Sequence, residues 1–132
     1  LAWLETQARP AGVARVVLTG LRPGGTPSRE WIYLEGTVGE LLDNKLPGRC
    51  RDISGRWKDY FGWDGQGEMS QDQANALLKL VEASHAKGLK LRLWSAPDTL
   101  DCWQALYQAG VDRINTDNPA QLGNWLSQKE RP

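Results

Sequence analysis

The stretch 89–118 constrains the fold more than any other part of the chain. It opens as L-K-L-R-L-W-S-A-P-D, continues through a helical segment and closes as V-D-R-I-N-T-D-N. Leu89, Leu91 and Leu93 alternate with Lys90 and Arg92, the period of a strand that is apolar on one face and partly polar on the other. Asp98 is placed to cap the following helix and Gly110 to close it. A strand, a helix and a second strand in so short a span make a βαβ unit, and with it a parallel sheet. Both strands end in residues that strand pairing does not need: Arg92, Trp94 and Ser95 in the first, Asn115, Thr116 and Asp117 in the second. In parallel α/β folds, function collects at the carboxyl ends of strands.

The rest of the pattern extends this unit. Residues 13–19 read as a strand rich in β-branched side chains, closed by Gly20. Residues 22–28 are a loop. Residues 30–35 form a second strand whose nearly continuous apolar run, Trp31 to Leu34, suits burial on both faces. Residues 37–42 fit a short helix with Thr37 as its cap and Glu40 completing a capping box. Residues 50–54 are a third strand. An aperiodic loop, 55–69, holds Trp57, Tyr60, Phe61 and Trp63. Ser70, with Gln73 three residues on, starts the clearest helix. Its expected apolar stripe is Ala74, Leu77, Leu78, Val81 and Ala86, and Gly88 ends it. Asn118 caps a last helix with Pro119 at its first position and Leu122, Trp125 and Leu126 on its buried face. Residues 1–7 read as the end of a helix that lacks a start signal, as expected of a piece of something longer. The sequence thus predicts an α/β chain of five strands forming a single domain over 1–132.

Composition narrows the function classes. Sixteen basic and sixteen acidic side chains cancel, so there is no electrostatic case for nucleic acid. No apolar run approaches the ~20 residues of a membrane-spanning helix. Cys50 and Cys102 lack metal-ligand spacing; they are either two small apolar residues or a disulfide, which leaves the compartment open. Seven tryptophans are mostly packing residues, with one or two available to line a ligand site.

Six pieces occur in an order that is itself informative: V-V-L-T-G at 16–20, Y-L-E-G at 33–36, I-S-G-R-W at 53–57, F-G-W-D-G-Q-G-E-M at 61–69, R-L-W-S-A-P-D at 92–98 and G-V-D-R-I-N-T-D at 110–117. Together they resemble the C-terminal part of the glycerophosphodiester phosphodiesterase and phosphatidylinositol-phospholipase-C-like superfamily. The nearest branch is the bacterial and fungal proteins similar to the yeast "altered inheritance of mitochondria" protein. The resemblance implies an eight-stranded (β/α) TIM barrel of which this chain supplies the last five strands. It implies a parent that hydrolyses glycerol- or inositol-type phosphodiesters, or lipid headgroups, by histidine acid–base chemistry with a divalent metal, calcium or magnesium. It also allows the parent an extracytoplasmic place. The family's histidine pair and acidic ligands fall on the first three strands, so no catalytic residue, metal ligand or cofactor is assigned to this chain. His85, its only histidine, falls on a helix face and is expected to be a surface residue.

Six residues remain candidates for substrate binding. Arg92 and Trp94 share one strand face; the first suits a phosphate, the second a glycerol or inositol face or a layer of barrel core. Asn115 and Asp117 alternate at the next strand end, where Asp117 could equally cap the final helix. Glu35 ends its strand as a lone carboxylate, suited to an arginine partner as well as to a substrate. Ser54 sits where the third strand turns into the aromatic loop. A non-catalytic partial barrel used for binding or assembly is the rival reading, and an unrelated α/β binding domain a third. An unclosed sheet is expected to form a homo-oligomer or to pair with an N-terminal half.

Overall fold

The computed structural model describes residues 25–129 continuously and, before them, Trp3 and residues 6–9, 11–12 and 15–20. Much of the helix expected over 1–7, the start of the strand expected over 13–19, and residues 22–24 of the loop expected over 22–28 lie outside the described residues.

The described strands are β1 (Val16–Leu18), β2 (Ile32–Thr37), β3 (Cys50–Arg56), β4 (Lys90–Trp94) and β5 (Arg113–Ile114). All neighbours are parallel and the spatial order follows the chain, β1-β2-β3-β4-β5, as the βαβ reading requires. The sheet curls into a half-barrel, a partial TIM barrel of α/β class. The helices described in full are α1 (Val38–Leu42), α2 (Gln71–Ala86), α3 (Leu100–Ala109) and α4 (Pro119–Lys129), with a 3-10 turn at Trp57–Asp59.

Strand alternation separates two faces. Ile53, Leu91 and Leu93 are fully buried in a cluster with Val38 of α1, Leu77, Leu80 and Val81 of α2, and Cys102 and Leu106 of α3. This is the outer, helix-covered face. Burying each such leucine or isoleucine contributes about 1.5–3 kcal/mol. The opposite face is polar and carries the candidate site.

Helix starts follow side-chain chemistry. Thr37 Oγ1 accepts from the Glu40 N–H at 3.1 Å while Glu40 Oε1 accepts from the Thr37 N–H at 3.0 Å, the expected capping box. Ser70 accepts from Gln73 N and opens α2. Gly110 closes α3 in the left-handed region, at φ +85°, which only glycine adopts freely. The cap of α3, however, is Thr99, whose hydroxyl accepts from Cys102 N at 3.2 Å; Asp98, expected in that role, stands one residue earlier.

Two further expectations are corrected. The buried row of α2 is Leu77, Leu80, Val81 and Ser84, whereas Leu78 and Ala86 are exposed. Ser84 fits the row because its hydroxyl donates to the Leu80 carbonyl at 2.7 Å, leaving no bare polar atom. Strands β2 and β3 run to Thr37 and Arg56, two residues beyond the ends read from sequence. Gly36 and Gly55 are therefore interior strand residues on the helix-covered face. A Cβ on Gly55 would lie 2.8 Å from Val38 Cγ2 and 3.0 Å from Tyr60 Cε2, so α1 and the turn after β3 can approach the sheet only over a glycine.

Candidate functional site

The inner face is built from registered rows. Glu35, Asp52 and Lys90 lie side by side on β2, β3 and β4; Thr37, Ser54, Arg92 and Arg113 form the next row; Arg56 and Trp94 come last, at the carboxyl end. The acidic row and the arginine row interlock. Arg92 reaches back across β3 to Glu35, with Nη2 3.1 Å from Oε1. Arg113 reaches back across β4 to Asp52. Adjacent strands are ~4.8 Å apart, so only an arginine-length side chain spans the intervening strand. Glu35 and Asp52 are almost wholly enclosed, and an ion-pair partner is what makes buried carboxylates tolerable. The second oxygen of Asp52, Oδ2, is buried and has no hydrogen-bond partner among the described residues.

The carboxyl-end rim is rigid for a different reason. Asp98, in the loop after β4, gathers the loop after β5. Its Oδ1 accepts from the Thr116 hydroxyl at 2.7 Å and from Trp103 Nε1 at 3.0 Å; its Oδ2 accepts from the Asp117 N–H at 2.9 Å and from Asn118 Nδ2 at 3.3 Å. Burial pushes the Asp98 carboxyl up, but these donors, the Thr116 hydroxyl foremost, outweigh it and hold it below the ordinary aspartate value. Residues 61–69, aperiodic in sequence, are fixed by tertiary hydrogen bonds. Gln73 Oε1 accepts from Gly62 N and Trp63 N, both at 2.9 Å. Thr99 Oγ1 donates to the Gly65 carbonyl at 2.6 Å, and Gly67 N donates to Asp101 Oδ2 at 2.8 Å. Between these fixed loops Trp94 stands 39% exposed, a large apolar surface at a strand end. The next residue, Ser95, has φ +55°, a left-handed backbone that a non-glycine residue holds only when its surroundings impose it.

Of the six residues read from sequence, Glu35, Ser54 and Arg92 are brought together on the inner face, and Trp94 lies one row above them. Glu35 and Ser54 are mid-strand, not at strand ends as expected, because the strands continue past their glycines. Asn115 is half-buried just beyond β5. Asp117 is exposed and engages the rim through its backbone N–H, away from Arg92 and Glu35. Sequence reasoning missed Asp52 and Arg113, whose only signal was a charged residue at an inward strand position; Ser95 was noted at its strand end, but no pattern discloses its backbone angle. His85 is exposed, as expected, but bonded: its Nε2 lies 2.8 Å from Asp112 Oδ2. Asp112 also accepts from Leu91 N at 2.8 Å; burial pushes its carboxyl up, and the Leu91 N–H, His85 and Lys90 more than reverse this and lower it.

A divalent metal on oxygen ligands does not fit these residues. Among those described, no three His, Cys, Asp or Glu side chains gather as a ligand set, and the inner-face carboxylates are already committed to arginines. Cys50 and Cys102 are not disulfide-bonded, which corrects the disulfide alternative. Among the described residues no helix is long and apolar enough to cross a membrane.

The glycerophosphoryl diester phosphodiesterase family model matches residues 90–120. That span is β4, α3, β5 and the start of α4, the unit that carries Arg92, Trp94, Ser95 and the Asp98 cluster. The match supports a phosphodiesterase-like scaffold over about a quarter of the chain. No curated protein and no solved structure matches the sequence.

Proposed function

We propose that this chain is the C-terminal part of a phosphoric diester hydrolase barrel acting on glycerol- or inositol-type phosphodiesters, of the branch similar to the "altered inheritance of mitochondria" protein. In this reading the whole of 1–132 is one scaffold unit that forms part of the substrate cradle. The groups that break the phosphodiester bond reside elsewhere in the parent. The observation that carries the reading is the coincidence of the family match with the strand bearing Arg92 and Trp94.

The chemistry follows from Arg92. Only its Nη2 is engaged, by Glu35, so among the described residues Nη1 and Nε are free to take two oxygens of a phosphate. Glu35 fixes the guanidinium in place, which reduces the ordering cost of binding. Ser54, registered beside Arg92, offers a hydroxyl. Trp94 offers a flat apolar wall to the polyol, and Asn115 an amide from the next strand end. A divalent metal, if the parent uses one, would draw its ligands from outside the residues described here.

The test is titration of the isolated chain with glycerol 3-phosphate and glycerophosphocholine, followed by NMR at the Arg92 Nε–H and the Trp94 indole. Both signals should shift saturably. Arg92→Lys, which keeps the charge but loses the fork, should weaken binding about tenfold. Unmoved signals, or equal affinity in the lysine variant, would refute the reading. The chain alone should not hydrolyse either phosphodiester.

A second reading, a non-catalytic binding or assembly module of the same descent, is favoured by one observation: both inner-face carboxylates are held by arginines, leaving neither as a ready acid or base. The encoding gene separates the two. Upstream strands bearing two histidines and an E-x-D pair support the enzyme, and their absence supports the module.

A further inference from the structure

Charge is distributed unevenly along the inner face. Glu35 and Asp52 are both drawn to arginines nearer the carboxyl ends of the strands. Toward the amino ends, three guanidinium groups gather on one ring. Arg49, Arg51 and Arg15 stand 4.9, 5.1 and 5.9 Å from the centre of Tyr33. Among the described residues none of the three forms an ion pair with a carboxylate.

These cations are positioned but not neutralised. Arg49 donates from Nε to the Ile32 carbonyl at 3.0 Å and from Nη2 to the Glu30 carbonyl, so two neutral acceptors aim it. Its own backbone sits at φ +57°, a conformation held against its preference. The ring face attracts each guanidinium by about 0.5–2 kcal/mol, yet it brings like charges together, a repulsion that a bound anion relieves. A cleft opens beside the ring. Tyr33, Pro47, Arg49, Arg51, Lys87 and Gly88 line it, and no carboxylate stands on its wall. Glu30 lines a neighbouring cleft that shares Tyr33 and Arg49 with this one.

We infer that this amino-end cleft binds a small, multiply charged oxyanion of the phosphate type, at a site distinct from the carboxyl-end rim. Arginine forks match two oxygens of such an anion at once, and Lys87 adds a point charge. The convergence of the groups into a cleft favours a small soluble anion over an anionic membrane surface, which would be met by charges spread on a flat or convex face.

Calorimetric titration of the 132-residue chain with inorganic pyrophosphate, at ionic strength held constant with sodium chloride, tests this. A saturable site that persists in Arg92→Ala is expected, with the amide signals of Gly88 and Leu89 shifting in parallel NMR spectra. Arg51→Ala and Lys87→Ala, whose charged ends carry little of the fold, should each weaken binding about tenfold, a loss of ~1.4 kcal/mol. Arg56→Ala, at the opposite end of the inner face, should leave it unchanged. Absence of saturable binding, an equal loss in Arg56→Ala, or binding confined to phosphatidate-containing vesicles would overturn the inference. Circular dichroism of each variant separates lost binding from lost folding.

Discussion

The carboxylate of Asp98 accepts the hydroxyl proton of Thr116 at 2.7 Å, joining the loop after β4 to the loop after β5. Neither residue belongs to a strand or helix, yet the pair sets the spacing of the two strand ends that bear Trp94 and Asn115.

Asp98→Ala should therefore cost more than a typical surface substitution. It strips an acceptor from Thr116, Trp103, Asp117 and Asn118 together. Because the cluster is partly exposed and its bonds are not additive, a loss of about 2 kcal/mol is expected. Urea unfolding should show a lower midpoint at unchanged slope. A midpoint equal to wild type would mean that the two loops are held by other contacts.

Acid should act on the same cluster and on Asp112. Both carboxyls are lowered in the folded chain, so their contribution is present above the ordinary aspartate range and is lost as pH falls through the folded values. Stability should stay level from pH 7 down to about pH 5 and decline steeply below about pH 4. Asp112→Asn should be less stable at neutral pH and have a shallower acid limb. An acid limb as steep as that of wild type would exclude Asp112 as a contributor.

The two thiols should react very differently. Cys102 is fully buried, and burial, aided by the nearby Asp98 charge, pushes its thiol up to about 12. Cys50 is half-buried. Iodoacetamide on the native chain should label Cys50 alone, and Cys102 only in denaturant. Equal labelling of both under native conditions would contradict the packing around α3.

Gly65→Ala combines two penalties. Gly65 has φ +81°, and an added Cβ would lie 2.4 Å from Pro97 Cβ and 2.8 Å from Thr99 Oγ1. Left-handed strain and overpacking together should cost about 3 kcal/mol and loosen residues 61–69 from the start of α3. Hydrogen exchange at Gly67 N should accelerate before global unfolding; unchanged protection there would refute the docking role.

The open sheet should drive self-association. β1 and β5 are its two edges, and unpaired edges attract another chain. Light scattering on mass-verified 132-residue material is expected to show a dimer or larger assembly. A stable monomer at tens of micromolar with a cooperative melt would defeat the edge argument.

What the sequence disclosed and what it withheld divide along a physical line. Features written in neighbouring residues were legible: the Thr37–Glu40 box, Ser70 at the head of α2, Gly110 at the end of α3, and the strand alternation around Leu91 and Leu93. Features that depend on what packs overhead were not. Gly36 and Gly55 look like strand terminators, but they are the places where α1 and Tyr60 come too close for a Cβ. Arg113 and Asp52 are 61 residues apart in the chain, and only the curl of the sheet makes them partners. Glu35 and Arg92 are 57 residues apart in sequence, and that they bind one another follows from the register.

The interlocked arginines also bear on shape. Each joins a strand to its second neighbour along the inner side of the curve, as a chord joins two points of an arc. Flattening the sheet would lengthen both chords, so these ion pairs favour the curved form even though they lie outside the backbone ladder. The radius of the half-barrel is thus written partly in four charged side chains. A change of length at either arginine would alter the curvature of the surface offered to a ligand while every strand remained paired.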